Sequence, residues 1–219
     1  MPSEVIAEPA DRARVREHVE EHLGPVKRTF EAQGASSVDI SVLHVPPQET
    51  RPVHTLVTLG MSDAPMLVPS GKNAPRYIEL MMTLPRTWQF DEKSLADERW
   101  YWPVRQLLAI SRKPVNDNSW LGWGEVVPNG TPPQRYAPNT KLCGAVVVPS
   151  LLVPQDFYEL KIAAHSIAFF CLLPLYKEEM DLEREKGVNH LFETLIDAGV
   201  KDFIDPARKN VAKKRFGFF

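Results

Sequence analysis

The sequence predicts an α/β protein of the α+β kind, with a single mixed β-sheet of about five to seven strands flanked by helices. Apolar segments rich in β-branched and aromatic residues fill the middle of the chain, and helical patterns lie near both ends. Twenty prolines, many at segment ends, are typical of short strands joined by stiff loops. No stretch has the composition of a linker or a repeat. Residues 1–219 are therefore predicted to form one domain, in which 208–219 is a basic and aromatic C-terminal tail.

The predicted elements alternate in a simple order along the chain. A helix over residues 11–23 carries its apolar side chains on one stripe and ends at Gly24-Pro25. Gln33-Gly34 marks a turn between the first two strands, and a helix over 103–112 has Pro103 in its first turn. Two more helices are predicted at 175–186 and 188–198. The predicted strands are 26–31, 38–45, 54–60, 77–84, 123–127, 142–148 and 167–173.

Composition and charge exclude several classes of function. The net charge is -2 and the pI is about 6.3, so the overall charge of the chain does not indicate binding to nucleic acid. No apolar run approaches the roughly 20 residues of a membrane-spanning helix, and the first residues do not resemble a signal peptide. Cys143 and Cys171 both lie inside apolar runs, which indicates buried free thiols in a reducing compartment. We expect a cytoplasmic protein.

One short motif suggests catalysis. His18-Val19-Glu20-Glu21-His22 matches the inverted zinc-protease pattern, in which two histidines four residues apart bind zinc and Glu21 acts as the base. A solvated face of histidine and glutamate explains the same pattern, because five residues of a charged helix match it easily by chance. The glycines around Trp123 and the Gly71-Lys72 pair lack the remaining residues of nucleotide-binding loops. The sequence therefore predicts no catalytic residue, bound metal or cofactor.

The tail contains a dense group of positive charges. Residues 208–215 carry five of them, and three phenylalanines follow at positions 216, 218 and 219. Contact with an acidic partner is one interpretation, and a solvated basic face is the simpler one.

Four segments, taken in order, resemble the suppressor-of-fused domain family. They are TLGMSDAPM at 58–66, ELMMTLP at 79–85, WPVRQLL at 102–108 and LPLYKEE at 173–179, and the likeness runs from about residue 15 to 211. The resemblance implies an α/β domain without catalytic machinery. Animal members of the family sequester a transcription factor by gripping an extended peptide, which adds a strand in a cleft between two domains. This chain looks like the first of those domains, and stand-alone bacterial members are thought to act as immunity proteins or regulators beside secreted toxins.

The residues and the resemblance together place a binding surface near residues 120–125. Gly122 and Gly124 allow a close backbone approach, and the neighbouring tryptophans supply contact area, with core packing as the alternative. Glu125 follows a glycine as an acidic peptide-contacting residue does in animal members, and Ser111 ends a helix that resembles another contacting segment. The predicted partner-binding residues are Trp120, Leu121, Trp123, Glu125 and Ser111.

Two hypotheses of different classes follow. The first is a non-enzymatic protein-binding module, an immunity or sequestering and regulatory protein that binds a partner protein or an extended peptide. The alternative is a zinc-dependent hydrolase built on His18, Glu21 and His22. Stoichiometric zinc that is lost in His22→Ala would distinguish the second from the first.

Overall fold

The computed structural model describes residues 9–31 and 39–213. The predicted turn at Gln33-Gly34 and the three phenylalanines of the tail lie outside the described residues. Six α-helices are present in the described part of the chain: α1 (Pro9–Leu23), α2 (Glu92–Leu95), α3 (Glu98–Ser111), α4 (Lys113–Asn116), α5 (Lys177–Lys186) and α6 (Val188–Asp197). The strands are β1 (Arg28–Glu31), β2 (Ser41–Val45), β3 (Val53–Leu59), β4 (Ile78–Pro85), β5 (Val126–Pro128), β6 (Gly144–Val148), β7 (Glu159–Lys161) and β8 (Ser166–Leu175).

These strands form one mixed sheet in the order β1-β2-β3-β4-β8-β6-β5, and β7 pairs with β8 beside this path. The pair β4 and β8 is parallel, and the other pairs are antiparallel. The predicted fold class is confirmed. Among the described residues the sheet has eight strands, because β7 is only three residues long and too short to show an alternating pattern.

Side chains alternate between the two faces of the sheet, and each face carries its own hydrophobic core. The first core packs Leu56, Leu80 and Met82 against Trp102 and Leu107 of α3. The second core packs the other face against apolar residues of α1, α5 and α6, namely Val15, Val19, Leu23, Met180, Leu191 and Leu195. Helices therefore cover both faces of the sheet. No helix within 9–31 and 39–213 has the length and apolar character needed to cross a membrane.

Helix α3 begins five residues earlier than predicted. Asp97 caps it by accepting a hydrogen bond from the Arg99 N–H at 2.9 Å, so Pro103 lies inside the helix rather than in its first turn. The N–H that Pro103 lacks would have bonded to the Arg99 carbonyl. Asn139 Nδ2 donates to that carbonyl at 3.4 Å instead. A contact from residue 139 thus replaces the missing helix bond, which local sequence does not reveal.

Strand β8 also runs past the residue predicted to end it. Pro174 lies opposite Ala145 of β6, and the strand continues to Leu175. Parallel pairing with β4 reaches only as far as Cys171. Pro174 is tolerated because β4 no longer pairs with β8 at this residue. The missing N–H of Pro174 therefore removes no hydrogen bond between these two strands.

The prediction of one domain leads to a simple proteolysis experiment. The sheet runs continuously from β1 to β5, with strands from both halves of the chain as neighbours. Limited proteolysis should therefore trim exposed loops without releasing independent pieces, because each half alone would expose one side of the β4–β8 pairing. Two stable fragments separated near residue 115 would contradict this prediction.

Candidate functional site

Residues 120–125 lead into β5, the terminal strand of the sheet, and place one tryptophan on each face. The Trp120 ring packs against the first core, and the Lys72 ammonium lies 5.6 Å from its centroid. The Trp123 side chain is 50% exposed, and its ring centroid is 5.5 Å from that of Phe192 in α6. The two rings therefore flank the sheet edge, and Trp123 is the more accessible of them.

Two of the predicted contact residues are buried. Leu121 belongs to the first core, and its N–H donates to the Met66 Sδ at 3.4 Å. Ser111 is buried at the end of α3, where its hydroxyl donates to the Leu108 carbonyl at 3.3 Å. Burial prevents both side chains from reaching a partner on the surface described here, so we assign them to packing. From the sequence, Ser111 could equally be a helix-end residue, and it does lie at the end of α3.

Glu125 and Val126 lie at one edge of the sheet, where no strand of the described residues pairs with the outer side of β5. The Val147 N–H donates to the Glu125 carbonyl at 3.0 Å, and the Asn129 N–H donates to the Cys143 carbonyl at 2.8 Å. In an antiparallel pair, every second residue of a strand makes the backbone hydrogen bonds to one neighbouring strand. Residues 125 and 129 bond to β6, so Val126 directs its own N–H and C=O away from β6. β5 is the last strand in the sheet order. An extended segment can therefore pair with Val126 from outside.

The glycines of this segment serve its own packing. Gly124 has φ +83, a backbone conformation that favours glycine, and a Cβ there would lie 3.3 Å from the Val188 side chain. A Cβ on Gly122 would lie 2.8 Å from a ring carbon of Trp120. Both glycines thus let the chain approach its own neighbours, whereas the sequence suggested close approach by a bound peptide.

Helix α6 adds residues that sequence reasoning missed. Leu191 and Leu195 are buried in the second core, and Val188 and Phe192 are partly buried against it. Ile196 continues the four-residue spacing of Val188 and Phe192 on an adjacent side of the helix. Ile196 is 70% exposed and Phe192 contacts Trp123. The i, i+4, i+8 spacing was visible in the sequence. The exposure of residues at this spacing was not visible in the sequence, because Leu191 and Leu195 already explain a buried face of the same helix.

The zinc motif is used in packing. The His18 ring stacks on Phe157 and Phe169, with both centroid distances 5.1 Å, and its Nε2 lies 3.1 Å from the Phe157 carbonyl oxygen. Burial lowers the pKa of His18, because desolvation disfavours the charged imidazolium. Within residues 9–31 and 39–213, no group of three or more histidine, cysteine, aspartate or glutamate side chains is placed to hold a metal ion. The described structure therefore gives no support to the zinc-hydrolase alternative.

Two of the four family-like segments meet around a buried carboxylate. Glu79 is completely buried and accepts hydrogen bonds from the hydroxyls of Thr58 and Ser62 and from the N–H groups of Gly60 and Ser62. Burial raises the pKa of Glu79, although these donors act in the opposite direction. The carboxylate fixes the loop after β3 to β4. Its partners within the described residues are structural, and it does not reach the surface.

The last family-like segment, 173–179, anchors the start of the tail. The Glu179 side chain is fully buried and is paired with the Arg208 guanidinium, whose side chain is only 10% exposed. Arg208 also donates to the Pro174 carbonyl at 2.8 Å, and the Val211 N–H donates to Glu179 at 3.0 Å. The first charge of the predicted tail is therefore a buried structural cation. The interpretation of residues 208–215 as a solvated face is wrong for Arg208.

An open groove of about 1180 Å³ lies between the end of α6 and residues 203–213. Its lining carries both charge signs, with Asp197 and Asp205 beside Lys201 and Lys209. Arg208 also lines it but is already paired with Glu179. The described residues bring no convergent set of free polar groups to the groove, so we do not assign it a ligand.

The fold is that of a helix-covered mixed sheet with an open terminal strand. A family model described as Suppressor of fused protein (SUFU) matches residues 35–209, well over half of the chain. The protein therefore belongs to the suppressor-of-fused family. No curated protein matches the sequence.

Solved structures share this fold at low sequence identity. A putative suppressor-of-fused homologue from Neisseria gonorrhoeae is 16% identical with a TM-score of 0.64, covering 93% of this chain and 97% of its own. A chain of the Sufu-Fu complex is 14% identical with a TM-score of 0.62, covering 95% of this chain and 93% of its own. Drosophila Suppressor of Fused is 14% identical with a TM-score of 0.59, and this chain covers 50% of it. At these identities the likeness establishes the fold.

Proposed function

We propose that this protein is a non-enzymatic protein-binding module that takes up an extended segment of a partner protein along the outer edge of β5. The observation that carries the proposal is the free backbone edge at Val126, flanked by Trp120 on one face and Trp123 on the other. Strand addition gains affinity from main-chain hydrogen bonds and specificity from alternating side chains. The solved complex of a similar fold with Fu supports a protein partner.

We further propose that the module acts as an immunity or sequestering and regulatory protein. This chain and the Neisseria gonorrhoeae homologue cover nearly all of each other, whereas the chain covers half of the Drosophila protein. Within the described residues, no other strand covers the outer edge of β5. This edge suits a role in which binding itself blocks the partner, as in toxin immunity.

The experiment compares purified variants in calorimetric titration against the partner recovered from native cells. Glu125→Ala should fold normally, because removing a half-exposed charge changes stability by less than about 0.5 kcal/mol. It should weaken binding by about 2–5 kcal/mol if Glu125 meets a cationic group in a desolvated site. Trp123→Ala should also weaken binding, since Trp123 is the exposed aromatic anchor.

Val126→Pro tests the backbone edge itself. Proline removes the outward N–H while the bonds of the neighbouring residues to β6 remain, so stability should change little and affinity should fall about tenfold. Val126→Thr is the matched control, because it keeps the N–H and the β-branched shape. Unchanged affinity in Val126→Pro, Trp123→Ala and Glu125→Ala would remove this surface, and the acidic 178–185 helix face would become the next candidate.

A further inference from the structure

One side of α6 forms an apolar ridge near the outer edge of β5, in which Val188 and Phe192 are partly buried against the second core and Ile196 is exposed. Val188 lies against Gly124, and Phe192 contacts Trp123, so the ridge begins where residues 123–124 approach β5. From Val188 to Ile196 the helix rises about 12 Å, at 1.5 Å per residue. A strand lying along this length would span about four residues at roughly 3.3 Å each and would place two alternate side chains against the ridge.

The helix beside this ridge carries acidic residues, and lysines lie before and after it, at Lys186 and Lys201. Glu193 and Asp197 lie on the solvent side of α6, where the Glu193 side chain is 75% exposed, and Glu125 follows Trp123 by two residues in the segment that leads into β5. His190 Nδ1 is 3.9 Å from Glu193 and is the nearest basic group on the helix, whereas Lys201 follows the helix end. Among the described residues, Glu125 and Asp197 make no ion pair. The ridge therefore combines apolar contact area with two carboxylates, Glu125 and Asp197, that make no ion pair among the described residues.

We infer that α6 selects the partner segment that pairs with β5. This segment carries two alternate apolar side chains, which pack on Trp123, Phe192 and Ile196. Lysine or arginine residues flank these side chains and contact Glu125, Glu193 and Asp197. The inference rests on the proposed strand addition and names the chemistry of the strand that is added. Apolar burial on the ridge supplies affinity, and the acidic rim rejects acidic strands. An acidic or wholly polar segment does not fit this site.

The test uses two synthetic fluorescein-labelled peptides and the full chain. The first has the sequence Lys-Thr-Phe-Thr-Ile-Thr-Lys, and the second replaces both lysines with glutamate. Fluorescence anisotropy at low salt should show at least tenfold tighter binding of the lysine peptide. Ile196→Gln should weaken its binding at least fivefold, and Glu193→Lys should reverse the preference between the two peptides.

Matched controls lie away from the ridge. Glu17→Lys changes a glutamate of α1 with comparable side-chain exposure, and Leu67→Gln changes an exposed leucine of the loop between β3 and β4. Neither should alter peptide binding more than twofold. Thermal melts verify that Ile196→Gln and Glu193→Lys remain folded, which is expected because both side chains are exposed.

The possible results separate the inference from the proposed function. If Val126→Pro weakens binding of the native partner but the α6 variants change nothing, strand addition stands and the α6 inference is overturned. No measurable binding of the lysine peptide at ~1 mM also overturns it. If Val126→Pro has no effect on the native partner, the proposed function itself fails. Sedimentation equilibrium is the last arm: a dimer abolished by Val126→Pro would identify a second copy as the occupant and overturn the inference.

Discussion

Arg208→Ala should lower the free energy of unfolding by about 3–5 kcal/mol, the largest effect that we expect from any single change in this protein. The substitution leaves the Glu179 carboxylate fully buried without its cation. Removing one partner of a buried pair is costly because the remaining charge keeps its desolvation penalty. Urea unfolding followed by circular dichroism measures the change directly.

The loss would extend beyond the ion pair. The guanidinium also donates to the Pro174 carbonyl at 2.8 Å and lies 4.9 Å from the Tyr176 ring centroid. Glu179 in turn accepts from the Tyr176 N–H at 2.9 Å, at the first turn of α5. Arg208 therefore ties the end of β8, the start of α5 and the segment after residue 203 into one network.

Two variants serve as controls for Arg208→Ala. Lys209→Ala removes an exposed charge from the next position and should change stability by less than about 0.5 kcal/mol. Arg208→Lys keeps the charge but not the two-pronged geometry, so it should give an intermediate loss. An Arg208→Ala variant as stable as Lys209→Ala would show that the pair does not hold the tail in solution.

Most of the fold was predictable because it depends on local patterns. The alternation in 38–45 and the apolar runs at 77–84 and 142–148 became β2, β4 and β6, within a few residues at each end. The start of α3 was missed because a contact from Asn139 makes Pro103 acceptable inside a helix. The end of β8 was missed because it depends on where β4 stops pairing. Both depend on residues distant in sequence.

The site was predictable only in part. Aromatic residues beside glycines indicated a surface, but the pattern did not show that Leu121 enters the core while Trp123 stays exposed. Burial is decided by the packing of α3 and α6 around the segment, and this packing is tertiary. The same limit applies to Arg208, which resembles the rest of a basic run until its contact with Glu179, 29 residues away, is seen.

Tyr176→Ala should lower the free energy of unfolding by about 2–4 kcal/mol, because it removes a buried aromatic ring. The ring belongs to the first core, and its hydroxyl donates to the Arg208 carbonyl. Chemical denaturation is again the measurement. The double variant with Arg208→Ala should lose less than the sum of the two single losses, since the two side chains contact each other.

Tyr176→Phe separates the ring from the hydroxyl. It keeps the apolar contact and the ring beside the Arg208 guanidinium but removes one hydrogen bond, so it should cost about 1 kcal/mol. A loss in Tyr176→Phe as large as that in Tyr176→Ala would assign the stability to the hydroxyl and its contact with the tail. A loss within about 0.5 kcal/mol in Tyr176→Ala would instead mean that the ring is solvent-exposed, and residue 176 would then join the candidate contact surface.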